Sequence, residues 1–177
     1  MKTSKIKAPL LLKTILDILL ILLILGTIFF IIFISVFIWI PQESIPFRIH
    51  EDLIESLNTQ AYIILGFVIL SRIIFIYTVI KFKHLVRLFF QGNFFSIAQI
   101  KIIRVIGKSI IIVAILNTLP SFIHKTFFEE SPRTVTYGQV ASIDSFWFII
   151  AVGLFFIFLG RIFDNARILK EENELTV

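Results

Sequence analysis

Four stretches of the chain are almost continuously apolar, and each is long enough to cross a bilayer as a helix. The hydrocarbon core is about 30 Å thick and a helix rises about 1.5 Å per residue, so a spanning helix needs about 20 residues. The predicted spans are residues 18–40, 61–82, 101–123 and 145–163. We therefore predict an all-α fold in which residues 1–177 form a single membrane domain, an integral membrane bundle of four transmembrane helices.

The first apolar run also has features of a secretory signal peptide, because several lysines precede it. Residues 18–40 carry no charge, which makes the run longer than the roughly 7–15 residues of a signal-peptide core. No small-residue cleavage site follows, and Pro41 ends the helix instead. We interpret the run as a retained membrane anchor.

Basic residues are distributed unevenly between the segments that flank the spans. With the N-terminus inside, thirteen of the 17 lysines and arginines fall on the cytoplasmic side. An excess of positive charge on that side usually determines orientation. We therefore predict a multi-pass protein of the inner (cytoplasmic) membrane with both termini in the cytoplasm. Trp39 and Trp147 agree, since both then lie at the outer interface.

The segment between the second and third spans combines basic and apolar residues at helical spacing. Arg87 belongs to a stripe with His84 and Gln91, and Arg104 belongs to a second stripe with Lys101 and Lys108. Such spacing predicts a cytoplasmic amphipathic connector between helices 2 and 3, lying near the membrane surface.

A corner is predicted in the middle of this connector. Gly92 and Asn93 tolerate left-handed backbone, so helix 2 is expected to break there. Ser96 and Gln99 fit a capping box, which predicts that the next helix starts at this point.

The two outer segments are predicted to hold little structure. Residues 51–57 are predicted as a short surface helix and the run 134–140 as extended chain, with Asp144 or Ser145 as the N-cap of helix 4. Histidines and acidic residues in both segments raise the alternative of a metal site or a pH sensor, but no spacing matches a ligand motif. We predict no metal site.

Two polar positions lie inside the predicted spans. Arg72 is near the middle of span 2, where a charge costs on the order of 2.5–3.5 kcal/mol on insertion scales. It is either a functional group or a structural one that reaches the inner face or bonds to Asn117 or Thr118. Asn117, just before Pro120, is either a polar site or a hydrogen-bonding contact between helices.

The end of the chain is charged. Asp164 is spaced to pair with Arg161 and Arg167, which predicts that helix 4 continues past the membrane. Glu171, Glu172 and Glu174 form an exposed cytoplasmic tail that we expect to rest on the basic connector and to bind a partner.

Composition narrows the class of protein. Hydrophobic residues make up 58% of the chain and charged residues 16%, and there is no cysteine, which excludes a disordered protein and a disulfide scaffold. The net charge of +5 is explained by positive residues gathered at the inner face, so no direct contact with nucleic acid is predicted. Binding of anionic lipid by these residues is the alternative.

Five stretches, residues 85–89, 92–96, 103–107, 159–163 and 169–177, resemble motifs of a bacterial family of small four-span membrane proteins, the YoaS-like family DUF2975. The resemblance implies a fold and a membrane location, but neither an activity nor catalytic residues. Members are often encoded beside a small helix-turn-helix regulator, which implies a regulatory or self-protective role.

The function predicted from the sequence is a sensory or regulatory membrane component whose cytoplasmic face meets a partner, such as a helix-turn-helix regulator. The alternative is a transport, pore or toxin-immunity protein that acts within the bilayer. No HExxH, GxSxG, Walker or GxGxxG motif occurs, so we predict no enzyme and no cofactor. The lipid bilayer is a predicted partner, and homo-oligomerisation is left open.

Overall fold

The computed structural model describes residues 8–39, 47–49, 52–54, 59–91, 95–127 and 137–175. Its helices are α1 (Ala8–Trp39), α2 (Thr59–Phe90), α3 (Ile97–Phe127) and α4 (Tyr137–Leu175). All four are long and apolar enough to cross a membrane, which confirms the predicted four-span, helical architecture.

The segment between α1 and α2 differs from its prediction as a surface helix over residues 51–57. It contains β1 (Phe47–Ile49) and β2 (Asp52–Ile54), which pair antiparallel with Arg48 opposite Leu53. A helix of seven residues gains few hydrogen bonds for its costly nucleus, so local hairpin pairing is favoured over it.

The start of α4 also differs from its prediction. The helix begins at Tyr137, so the last part of the run 134–140 is helical rather than extended, and neither Asp144 nor Ser145 is the N-cap. Lengthening an existing helix adds one hydrogen bond per residue, and this gain outweighs the weak strand preference of valine and tyrosine.

Each helix packs against its neighbours in sequence, α1 on α2, α2 on α3 and α3 on α4. The best-buried core lies where α2 ends, α3 begins and the later part of α4 passes them. Its centre is Leu85, Ile103 and Ile106, and Phe82 meets Phe156 edge to face at 6.3 Å between ring centroids. We call this core the three-helix cluster.

A smaller core joins α1 to α2. Ile64, Leu65 and Val68 of α2 are buried there, and Phe30 and Ile34 of α1 pack against them. Only 6% of the apolar span of α1 is buried, against 33% in α2. Most of the surface of α1 is therefore available to lipid.

The predicted capping box is present at the start of α3. The Ser96 backbone N–H donates to Gln99 Oε1 at 3.1 Å, and the Gln99 N–H donates to Ser96 Oγ at 3.3 Å. Gln99 is completely buried. Its burial fixes the direction in which α3 leaves the turn.

The predicted corner at Gly92 and Asn93 lies outside the described residues. Among the described residues other than glycine, Phe95 alone has a positive φ, at 66°. This left-handed conformation is costly for a residue with a side chain. Packing of the Phe95 ring against α4 offsets part of that cost, as described below.

Candidate functional site at the basic end

One end of the molecule gathers most of its described charge. It comprises residues 81–91 at the end of α2, residues 95–108 around the start of α3, and residues 161–175 of α4. The beginning of α1 also lies there, because Asp17 forms an ion pair with Lys83. We call this region the basic end.

An ion pair joins α3 to α4 at the centre of the basic end. Arg104 Nη2 donates to Asp164 Oδ2 at 2.7 Å. Asp164 Oδ1 also lies 3.5 Å from Arg167 Nη2, and Arg167 Nη1 donates to Glu171 at 2.8 Å. The network therefore continues from the interhelical contact towards the end of α4.

Glycines allow the two helices to approach closely enough for this pair. A Cβ on Gly160 would lie 2.7 Å from Cγ of Arg104, so the arginine stem lies directly over the glycine. Further along, a Cβ on Gly107 would lie 2.6 Å from the carbonyl oxygen of Gly153. Gly153 and Gly160 thus admit a neighbouring helix, and that neighbour is α3.

Phe163 of α4 connects the turn to the three-helix cluster. Its ring centroid lies 5.2 Å from that of Phe95 and 5.9 Å from that of Phe89. The left-handed residue of the turn is thus held against α4, and the end of α2 is held by the same ring.

The structure brings together some of the predicted site residues and separates others. Ser96, Arg104 and Asp164 lie within the packed basic end, whereas Arg87 is exposed on α2. Gly92 lies outside the described residues.

The tail of the chain is a helical continuation of α4, as the spacing of its charges predicted. Glu171 pairs with Arg167, and Glu174 lies 3.6 Å from Lys170, both within the same helix. Glu172 is exposed like its neighbours. Contact of the tail with the basic connector stays a prediction, and these ion pairs do not contribute to it.

Inside the spans, Asn117 and Arg72 have different surroundings. Asn117 Oδ1 accepts a hydrogen bond of 2.6 Å from Ser71 Oγ, which joins α2 to α3. Arg72 is exposed, and its guanidinium carbon lies 4.8 Å from the centre of the Phe30 ring. The described contact of Arg72 is therefore with an aromatic face of α1 and not with Asn117.

Sequence reasoning missed three contacts that organise this end. They are the close approach of Gly107 to Gly153, the Phe163 ring against Phe95, and the Asp17–Lys83 ion pair. The sequence did mark Gly107, because it is the last residue of one of the stretches on which the family resemblance depends. All three contacts join residues far apart in sequence, and periodicity does not relate such residues.

The described part of the chain contains no group of three histidine, aspartate or glutamate residues that could hold a metal ion. The groups that the structure brings together at the basic end are ion pairs, aromatic rings and an exposed charged helix.

The fold is that of a multi-pass membrane protein with four helical spans. The chain belongs to the family described as "Protein of unknown function (DUF2975)", which matches residues 47–177. No curated protein and no solved structure matches the chain.

Two of the stretches that carry the family resemblance lie at the contact between α3 and α4. The stretches 103–107 and 159–163, which carried the resemblance, supply Arg104, Gly107, Gly160 and Phe163 to the α3–α4 contact. The match begins after α1, the helix that is packed least. The matched part of the chain therefore contains the segments of α2, α3 and α4 that form the basic end.

Proposed function

We propose that this protein is a regulatory component of the inner membrane whose basic end faces the cytoplasm and binds a soluble partner. The observation that supports this proposal is the position of the best-buried core and the interhelical ion pair. Both lie at this end rather than in the middle of the spans. A stable, charged surface at the end of the spans is suited to contact with a soluble protein.

The exposed end of α4 is the surface that we propose for this contact. Residues 171–175 are all exposed and extend beyond the ion pair that fixes α4 on α3. Their acidic side chains are paired only at the surface, where each ion pair is worth about 0–1 kcal/mol. A partner can replace such pairs at little cost. Members of the family that this chain resembles are often encoded beside a helix-turn-helix regulator. We therefore propose such a regulator as the partner.

The uncharged polar groups of the spans weigh against the alternative of a transport, pore or immunity protein. Ser71 and Asn117 bond to each other, and Thr27 and Thr78 donate to carbonyl groups of their own helices at 2.7 Å and 2.8 Å. Groups already satisfied in this way are typical of helix contacts rather than of a polar pathway.

Reporter fusions test the orientation on which this proposal depends. Alkaline phosphatase fused after Gln60 or Gln139 is expected to be active, and fusions after Gln91 or at Val177 are expected to be silent. Fluorescent-protein fusions at the same sites provide the converse control. The reverse pattern would place the basic end outside the cytoplasm and would contradict the proposal.

Binding to the full-length protein in nanodiscs tests the partner. Where a helix-turn-helix gene neighbours that of this chain, its protein product is the soluble probe. A toxin or exporter gene in that position would favour the alternative. Reversing Glu171, Glu172 and Glu174 to lysine is expected to weaken binding at least tenfold. The matched control reverses Glu43, Glu51 and Glu55, between α1 and α2, and should leave binding unchanged. If both sets of charge reversals weakened binding equally, the exposed end of α4 would not be the binding surface.

A further inference from the structure

Arg72 places a positive charge deep inside the apolar part of the bundle. It lies eleven residues after Ala61 and nine before Lys81, which corresponds to about 16 Å and 14 Å along the helix. Its side chain is exposed in a region where the surroundings of the protein are hydrocarbon. A guanidinium at such depth is costly unless another group neutralises it.

The guanidinium stays at this depth rather than reaching an interface. It lies 4.8 Å from the ring centre of Phe30. Phe30 is twelve residues from Ile18 and ten from Ile40, so the ring is about 18 Å and 15 Å from the two ends of the apolar run of α1. Contact with an aromatic face contributes about 0.5–2 kcal/mol and does not neutralise the charge.

The chain supplies no carboxylate at this level. None of its 12 acidic residues lies within the predicted spans 18–40, 61–82, 101–123 and 145–163. The acidic residues nearest to the spans at the basic end, Asp17 and Asp164, are paired with Lys83 and Arg104. Ser71, beside Arg72, donates its hydroxyl to Asn117 on the other side of α2.

We propose that the face formed by Arg72 and Phe30 binds a membrane-spanning helix of another protein, one that carries a carboxylate at its midplane. Charge complementarity identifies the occupant, because a guanidinium that faces hydrocarbon is best satisfied by a carboxylate at the same depth. A second copy of this chain brings another Arg72 and no midplane acid, so self-association leaves the charge unsatisfied. The weakly covered surface of α1 leaves room for an additional helix beside it.

This membrane-embedded partner is distinct from the soluble partner proposed for the basic end. The two proposals fail separately, because one depends on Arg72 and the other on residues 171–174.

Fluorescence resonance energy transfer tests the proposal by measuring association of this chain with a model helix. The measurement is made in vesicles of phosphatidylcholine and phosphatidylglycerol. The full-length chain carries a donor on a single cysteine at Leu11→Cys, which the cysteine-free sequence makes specific. The probe is an acceptor-labelled synthetic leucine–alanine helix with lysine ends and one central glutamate, compared with the same helix carrying glutamine. The glutamate helix is expected to associate at least tenfold more strongly, and Arg72→Leu should abolish the difference.

Two further variants show whether the surroundings of Arg72 matter. Arg72→Lys keeps the charge and should retain a preference for the glutamate helix. The double variant Arg72→Leu/Ile73→Arg moves the charge to the adjacent exposed position and should not restore it. Full restoration would mean that any charge at this depth attracts the probe, and it would overturn the assigned face.

Two other results would also overturn the proposal. One is equal association of the glutamate and glutamine helices with the native chain. The other is energy transfer between donor- and acceptor-labelled copies of this chain that Arg72→Leu removes, since that result would make a second copy the occupant.

Discussion

The contact between α3 and α4 and the contact between α1 and α2 hold their helices together by different means. In the first, Gly107 and Gly153 bring the backbones together, and Arg104 reaches across Gly160 to Asp164. In the second, a few side chains around Val68 and Phe30 meet, and one ion pair lies at the end.

The difference follows from what holds helices together in lipid. Apolar side chains gain little by leaving lipid for protein, so association depends on close packing and on polar contacts. The α3–α4 contact has both features along its length, whereas α1 has a large apolar surface and little close packing. High hydrophobicity thus places α1 in the membrane without fixing it firmly on its neighbour.

The largest effect is expected from adding a single methyl group where the backbones cross. In Gly107→Ala the new Cβ would lie 2.6 Å from the Gly153 carbonyl oxygen and 2.8 Å from Ile157 Cγ1, so α3 and α4 must separate. We expect a loss of about 1–3 kcal/mol in the free energy of unfolding. Equilibrium unfolding in bicelles measures it.

Gly66→Ala is the matched control, because its added Cβ meets nothing within 4 Å. Its stability should be unchanged or higher by up to about 1 kcal/mol, the helix preference of alanine over glycine. Equal losses for the two variants would show that the crossing at Gly107 is not tight.

A smaller loss of stability is expected when the ion pair between these helices is removed. The side chains of Arg104 and Asp164 are 41% and 33% exposed, so solvent weakens their attraction. Arg104→Met keeps most of the stem over Gly160, and we expect it to cost about 1 kcal/mol. A double-mutant cycle with Asp164→Asn isolates the pair.

Lys170→Met is the control for that cycle, since Lys170 and Glu174 are 62% and 67% exposed within one helix. A change of at most about 0.5 kcal/mol is expected. A coupling energy for Arg104 and Asp164 no larger than this would contradict their role in joining α3 to α4.

The smallest global effect is expected at the α1–α2 contact. Asp17→Asn weakens the pair with Lys83, and both side chains are more than a third exposed. We expect a change below about 0.5 kcal/mol in global unfolding, with faster hydrogen exchange confined to α1. Faster exchange in α3 or α4 would show instead that α1 supports the whole bundle.

The main architecture could be predicted because membrane crossing is a local property. Length and hydropathy indicate each helix by itself, and the Ser96–Gln99 capping box is likewise encoded within four residues. The hairpin at Phe47–Ile54 and the start of α4 at Tyr137 could not be predicted in this way. Both depend on small differences between competing local structures.

The site was predicted only in part for a related reason. Arg104 and Asp164 were selected for their own charge, but their pairing depends on Gly160, which has no side chain to suggest it. The partnership of Arg72 with Phe30 depends on how α1 lies against α2. Such relations appear only once the helices have been placed together.

The continuity of α4 has a mechanical consequence. The helix runs for 39 residues, about 58 Å, and is held on α3 between Gly153 and Asp164. About 24 Å of it lies before Gly153 and about 16 Å after Asp164, so a rigid helix that pivoted on this stretch would have two unequal arms. A tilt of about 10° would move the Tyr137 end by about 4 Å and the Leu175 end by about 3 Å in the opposite direction. Such a tilt would carry a displacement from one side of a bilayer to the other without any change in the internal structure of the helix.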